Sequence, residues 1–362
     1  MIMKPFPMAM GQRHGHGFTL AELLVSIGVV TIIVLMVAQL MSNAAATART
    51  GNKHIDIDTQ ARVVLDRMAV DFGKILKRTD VDYYVKAPIG YKNPKSHGNG
   101  LKLKTGEPGN DQIAFFSEVP GYYPAGSKSP VSLVAYRINA GTTTSASYLM
   151  LERMGKGLLW NGLKIQNSND PSPMVFLPGQ IKAGTGPWAA QWYAAINNDN
   201  SAKSSDPDYE TIGPNVFRLE YYYLRKDGSI KDIPALSWDM TKTVSANLNA
   251  FSDVQSIAVA IAVIDPASRS LLYDASNPGD PYNRLFSLVS DMADFKNANG
   301  KGIGAQKVGD VENQWNTAVQ HAASTGTTYN DSGGNGLAFP PAAASAIRIY
   351  NRYFDLRTPA LF

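Results

Sequence analysis

The chain has 362 residues, a formal charge of +4, and only 18% charged against 44% hydrophobic residues. That length can bury a sizeable core, while a mild positive surplus without a basic stripe gives nucleic-acid binding little support. The sequence has no cysteine, which excludes disulfides, thiolate zinc sites and cysteine nucleophiles, and its 31 glycines and 21 prolines predict a turn-rich, β-rich body.

Residues 1–17 read MIMKPFPMAMGQRHGHG, with Lys4 and Arg13 and no long apolar core. Residues 18–41 then read FTLAELLVSIGVVTIIVLMVAQLM. At about 1.5 Å per residue this stretch makes roughly 36 Å of helix, enough to cross a hydrocarbon layer of about 30 Å. In lipid the backbone must satisfy its own hydrogen bonds, so an open-ended span has to be helical. An ordinary secretory signal is cut after its apolar stretch. Here Gly17 precedes it, so a cut there would leave the helix on the mature chain as an anchor; the alternative is an uncut signal anchor. Glu22 stands in the first turns of this helix. A carboxylate within a membrane is costly and is usually paired or functional. Cutting after Gly17 would create a cationic partner for it, the new amine of Phe18.

The string Gly17-Phe18-Thr19-Leu20-Ala21-Glu22-Leu23-Leu24-Val25 resembles the signal of type IV pilins and type II secretion pseudopilins. That family has a short basic leader ending in glycine, then phenylalanine, a Thr-Leu pair, and glutamate as the fifth mature residue. The resemblance implies that a prepilin peptidase cuts between Gly17 and Phe18 and N-methylates Phe18. It also implies that Glu22, next to Thr19, serves assembly by neutralising the amino terminus of an adjacent subunit. The segment lacks the kinking proline of many type IV pilins, which favours a minor pilin or pseudopilin.

Past Met41 the sequence turns polar but keeps helical period. Ala61, Leu65, Met68, Phe72 and Ile75 share one face. Arg62, Asp66, Arg67, Asp71 and Lys74 fall on other faces, and Asp58 and Arg62 are spaced as an i,i+4 ion pair. The helix is expected to run to about Lys77, with a break or bend near Ala48–Asn52 because Gly51 weakens it.

Beyond Thr79 the pattern is strand and turn. Strands are expected at 111–117, 132–137, 148–154, 216–225, 254–264 and 346–356, the third closing a hairpin with the second and 226–229 forming a turn. The apolar run 254–264 also suits a buried helix, but its β-branched content and Pro266 favour a strand. Val134, Tyr136, Leu151 and Arg153, followed by Tyr223, Leu224, Asp227, Gly228 and Trp238, are similar in arrangement to the J-type minor pseudopilin of type II secretion. Segments 161–208 and 276–336, rich in Gly, Pro, Asn, Asp and Ser, read as inserted surface loops. Size and loop content are similar to those of the large pilin-like Verru_Chthon cassette protein C family.

Little in the sequence points to chemistry. His14 and His16 lie in the leader; His54, His97 and His321 stand apart without metal spacing. No phosphate loop, dinucleotide fingerprint or nucleophile elbow is present. Acidic clusters at 197–200, Asp206 with Asp208, and 274–280 lack calcium-loop spacing; they read as solvated loops, with a calcium site the alternative. The tyrosine pairs 83–84 and 122–123, the triplet 221–223, and Trp188 with Trp192 invite a carbohydrate reading, but strand alternation makes most of them core and surface neighbours.

The expected fold is therefore α+β: a long N-terminal helix packed on an antiparallel β domain with long loop insertions. The expected parts are a leader (1–17), a transmembrane helix (18–41), a spine (42–78) and an extracytoplasmic β-rich domain (79–362). The expected role is a non-enzymatic minor pilin or pseudopilin subunit without cofactor, single-pass in the inner membrane. Its partners would be prepilin peptidase and other pilin subunits, not nucleic acid. The rival readings are a membrane-anchored binding or adhesion module and, less well supported, a tethered enzyme.

Overall fold

The computed structural model describes residues 19–77, 95–97, 100–102, 110–122, 130–139, 145–157, 209–231, 254–276, 278–279, 281–292, 295, 307–325, 328–330 and 336–356. The chain divides into two compact units, Met1–Lys53 and His54–Phe362. Helix α1, Leu20–Gly73, contributes to both. Its helical backbone continues through Gly51, so the chain does not leave the helix there as expected. A side chain at Gly51 would point into open space, and the residue has only its intrinsic cost.

In the second unit α1 buries one stripe. Ile57, Ala61, Val64, Leu65, Met68 and Phe72 are all buried, as the apolar period requires. The helix ends at Gly73, four residues before the expected Lys77, because the chain turns extended there. The Leu76 N–H donates to the Phe116 carbonyl and the Glu118 N–H to the Lys74 carbonyl. Phe72 stacks on Phe115 at 4.9 Å and meets Phe354 at 5.0 Å.

The strands follow in chain order. A short ribbon pairs β1 (Lys95–His97) with β2 (Gly100–Lys102). Next come β3 (Gln112–Ser117), β4 (Ser132–Ile138), β5 (Leu151–Gly157) and β6 (Tyr209–Gly213), one antiparallel sheet in the order β3-β4-β5-β6. Its register sets Tyr136 opposite Arg153 and Arg137 opposite Glu152. β5 starts later than the expected 148–154. Leu149 holds φ at 54°, and the Arg269 guanidinium donates to the carbonyls of Leu149 and Tyr148 at 3.1 and 2.6 Å. That left-handed residue ends the regular strand, and before Leu151 only Asn139 still exchanges backbone bonds, with Leu149 and Met150.

Strands β7 (Val216–Arg225), β8 (Ile230–Lys231) and β9 (Val254–Val263) belong to a second antiparallel sheet, closed by β12 (Arg348–Asp355) in the order β12-β9-β7-β8. The turn after β7 uses Gly228 at φ 79°, where glycine carries no Cβ penalty. Because β8 pairs only with Tyr223 and Leu224, the rest of that edge of β7 needs other partners. Asn110 and Asp111 supply them. The Leu219 N–H donates to Asn110 Oδ1 at 3.1 Å, the Tyr221 N–H to Asp111 Oδ2 at 3.0 Å, and the Asp111 N–H to the Leu219 carbonyl at 3.0 Å. The two sheets are thus stitched by two side chains and one backbone bond, and a single hydrophobic core lies under α1.

The segment 276–336, expected as loop, contains two helices. After the short α2 (Pro266–Ser270), capped by the Asp265 carboxylate, come α3 (Asn283–Asp291) and α4 (Asp310–Thr325). Leu285, Leu288 and Val289 of α3 and Val311, Trp315, Val319 and Ala322 of α4 are buried. The spacing of these four in α4 is a helical stripe hidden between polar flanks. A ribbon of β10 (Thr328–Asn330) and β11 (Gly336–Ala338), then α5 (Pro341–Ser345), lead into β12. The other expected insertion, 161–208, lies outside the described residues.

Candidate assembly helix and its buried latch

Thr19 and Glu22 form a reciprocal cap at the start of α1. The Thr19 N–H and hydroxyl both donate to Glu22 Oε2, at 2.9 and 3.0 Å, and the Glu22 N–H donates to Thr19 Oγ1 at 3.2 Å. This is a capping box: each residue satisfies a donor that a helix start leaves unpaired. The Leu20–Met41 side chains are exposed throughout. Two hydroxyls of this stretch turn inward on their own backbone: Ser26 Oγ donates to the Glu22 carbonyl and Thr31 Oγ1 to the Ile27 carbonyl, both at 2.7 Å. Such bonds let hydroxyls sit in an apolar surrounding without an unsatisfied donor. Among the described residues, α1 is the one helix long and apolar enough to cross a membrane. Gly17 and Phe18 lie outside the described residues, as do His14 and His16.

At the other end of α1, Asp71 is fully buried, not on a solvent face as its place in the pattern suggested. Arg153 of β5 grips its carboxylate with two bonds, Nε to Oδ2 at 2.7 Å and Nη2 to Oδ1 at 3.2 Å. Tyr136 of β4 donates its hydroxyl to the same carboxylate, and Arg67 approaches at 3.5 Å from one turn back. Burial pushes the Tyr136 phenol well above its ordinary ionisation range, and the neighbouring Asp71 charge pushes it further. Burial alone would pull Arg153 down, but the hydrogen bond and charge of Asp71 hold it above its usual value. Fork-shaped arginine–carboxylate contact is the strong, directional form of an ion pair. The cluster ties the last turn of α1 to two adjacent strands. Val134 and Leu151 lie in the same core. Thus two of the four residues carrying the pseudopilin resemblance in these strands, Tyr136 and Arg153, close on Asp71, which had no signal beyond lying between Met68 and Phe72.

A second buried pair stands on β7. Arg218 approaches Glu220 at 3.4 Å, donates to Asn110 Oδ1 at 3.3 Å and to the Met292 carbonyl at 3.2 Å, and covers the Trp315 ring at 4.9 Å. Glu220 in turn accepts the Phe295 N–H at 3.1 Å. Asp227 and Gly228 build the turn after β7, where Asp227 Oδ1 accepts the Ser229 N–H; Trp238 lies outside the described residues.

The remaining candidates do not gather. His54 Nε2 lies 3.2 Å from the Arg348 guanidinium, and the His321 carbonyl accepts a local serine hydroxyl. The expected Asp58–Arg62 pair does not form; Asp58 accepts the Tyr350 hydroxyl of β12 instead. Asp274 accepts the Ser276 N–H at 3.0 Å within its own turn. Among the described residues no three histidines or carboxylates come together as a metal-holding group. The acidic clusters at 197–200 and at Asp206 with Asp208, and Trp188 and Trp192, lie outside the described residues.

No curated protein matches the chain. Residues 12–38 match the family model of the prokaryotic N-terminal methylation motif, and this motif, set on an exposed apolar helix near the N-terminus, is consistent with a type IV pilin-like protein.

Proposed function

We propose that the chain is the precursor of a pilin or pseudopilin subunit, cut by a prepilin peptidase between Gly17 and Phe18 and N-methylated on Phe18. The observation that carries this reading is the match at residues 12–38, which overlies both the cut and the helix that the cut would leave behind. The mature chain is then held in the inner membrane by residues 18–41, with the β-rich unit outside the cytoplasm. The motif points to a structural subunit rather than an enzyme.

The cap geometry supports a role for Glu22. Its carboxylate is fixed at the helix start by Thr19, where oriented N–H groups favour negative charge. The Phe18 amine of a neighbouring subunit would find there a pre-placed counter-charge, and the pairing would remove two ionic groups from lipid at once.

The deciding measurement is the intact mass and N-terminal sequence of the protein from its native membranes. A chain beginning at methylated Phe18 supports the reading, and one beginning at Met1 overturns it. Glu22→Ala is expected to be processed yet absent from filaments, whereas a bulky residue at Gly17 should block processing.

A further inference from the structure

The edge of a β-sheet is a row of unpaired backbone donors and acceptors, and proteins blunt or cover it. Three edges of the two larger sheets are managed in that way. β3 is closed by the chain leaving α1, through the Leu76-to-Phe116 and Glu118-to-Lys74 bonds. β6 is five residues long and bulged against β5. β8 has two residues, and Asn110 and Asp111 cover more of β7 beyond it. β12 is left open. It has eight residues and no proline, and its register with β9 runs without a bulge from Arg348 to Asp355. Its arginines do not guard the edge: Arg352 is turned onto Asp66, and Arg348 onto His54 and the Ser345 carbonyl.

The Leu356 N–H donates to the Gln255 carbonyl at 2.8 Å, which fixes the phase of the pairing. Alternate residues of an antiparallel strand bond to one neighbour. Arg348, Tyr350, Arg352 and Phe354 therefore bond toward β9, while Ile349, Asn351 and Tyr353 direct their N–H and C=O groups outward. Among the described residues none of these outward groups has a partner. The side chains of Asn351 and Tyr353 stand on the α4 side of the sheet, where Asn351 Nδ2 donates to Glu312 Oε1 at 3.0 Å and the Tyr353 hydroxyl lies 3.3 Å from that of Tyr222. Glu312 is only 8% exposed, its Oε2 has no hydrogen-bond partner, and no cation pairs with it among the described residues. A buried carboxylate without a counter-charge is costly, and this one stands beside the open edge.

We propose that β12 takes up an extended segment of a different polypeptide, paired antiparallel, with a lysine or arginine opposite Asn351 that neutralises Glu312. A residue opposite Asn351 shares its face of the sheet, with the two Cβ atoms about 5.5 Å apart, so a long basic side chain reaches the carboxylate. Apolar residues two positions to either side lie against Ile349 and the Tyr353 ring, which is 40% exposed. The segment recognised is thus apolar-x-basic-x-apolar, with main-chain bonds supplying affinity and Glu312 selecting the base. A second copy of β12 does not fit, because its outward positions are Ile349, Asn351 and Tyr353 and carry no base. The edge and Glu312 lie wholly within the second unit, so the site is independent of processing at Gly17.

The probe is a fluorophore-tagged peptide, Thr-Val-Thr-Lys-Thr-Val-Thr with blocked ends, titrated into the full chain in detergent and read by anisotropy. N-methylation of its lysine and two valines, whose N–H groups face β12, is expected to abolish binding. N-methylation of the two threonines beside the lysine, whose N–H groups face away, should leave binding intact. Norleucine in place of the lysine should weaken binding about tenfold or more on the native chain and have no such effect on Glu312→Gln. Asn351→Pro removes an outward N–H and no ladder bond, and should abolish binding while circular dichroism retains the native fold. Amide exchange at Ile349, Asn351 and Tyr353 should slow when the peptide binds. No saturation below about 1 mM, equal loss from both N-methylated peptides, or an undiminished norleucine penalty in Glu312→Gln overturns the proposal. Dimerisation of the chain that Asn351→Pro abolishes overturns it as well, by giving the edge to a second copy.

Discussion

Asp71 is a charged residue that α1 places in its own apolar stripe, and its surroundings explain how the fold tolerates it. Its carboxylate is gripped twice by Arg153 and once by Tyr136. Removing one partner from a buried pair strands the other charge and costs about 3–5 kcal/mol, whereas replacing both with apolar groups is often neutral. Arg153→Met should therefore destabilise the protein by about 3–5 kcal/mol, and adding Asp71→Leu should recover most of that loss. Denaturant unfolding followed by circular dichroism reads both variants. If the double variant is as unstable as the sum of the two single ones, the latch does not act as a pair. The contrast with Glu22 is instructive at this scale. Glu22 announces itself as a lone charge in an apolar run. Asp71 is lost among the alternating charges of an amphipathic helix, and only the strands that meet it disclose its role.

At the scale of elements, periodicity was legible wherever one face of an element differs from the other. The buried stripe of α1 and the span of β7 follow directly from the pattern. The start of β5 did not, because a left-handed Leu149 held by a distant arginine carries no local signal. Helices α3 and α4 were hidden for a different reason. Their flanks are rich in Gly, Asn and Asp, and α4 itself carries Asn313, Asn316 and Gln320 on its outer face and buries Glu312 against Asn351, so average composition conceals a four-residue apolar stripe. Trp315 anchors that stripe: it is fully buried and lies against the Arg218 guanidinium. Trp315→Ala should cost about 3–5 kcal/mol through the cavity it leaves, with some further loss as Arg218 is deprived of its ring. Thermal unfolding measures the loss. A change under about 1 kcal/mol would mean that α4 is a surface excursion after all.

At the scale of the whole molecule, the sequence disclosed a helix-plus-sheet plan and the character of its N-terminus. It could not show how the sheets join, since the stitching by Asn110 and Asp111 depends on side-chain reach across more than a hundred residues. The joined core also sets a pH limit that no single element would impose. Tyr136 and Tyr222 are pushed above the ordinary phenol range by burial first, then by the Asp71 charge at Tyr136 and by the hydrogen bond with Tyr353 at Tyr222. Tyr350, on β12, is raised by burial and then by its bond to Asp58 of α1. These three phenols are neutral in the fold and ionise more readily once unfolded, near pH ~10. Their contribution is complete below that pH and is lost as pH rises from there toward the folded values. The protein should accordingly hold its fold at mildly alkaline pH and then unfold cooperatively above pH ~10, with phenolate absorbance of the buried set appearing together with loss of circular dichroism. Tyr136→Phe should make the loss of stability with rising pH less steep, since it removes a phenol whose ionisation favours the unfolded chain. If all 17 tyrosines titrated in one smooth wave with the fold intact, the two sheets and α1 would not share the closed core described above.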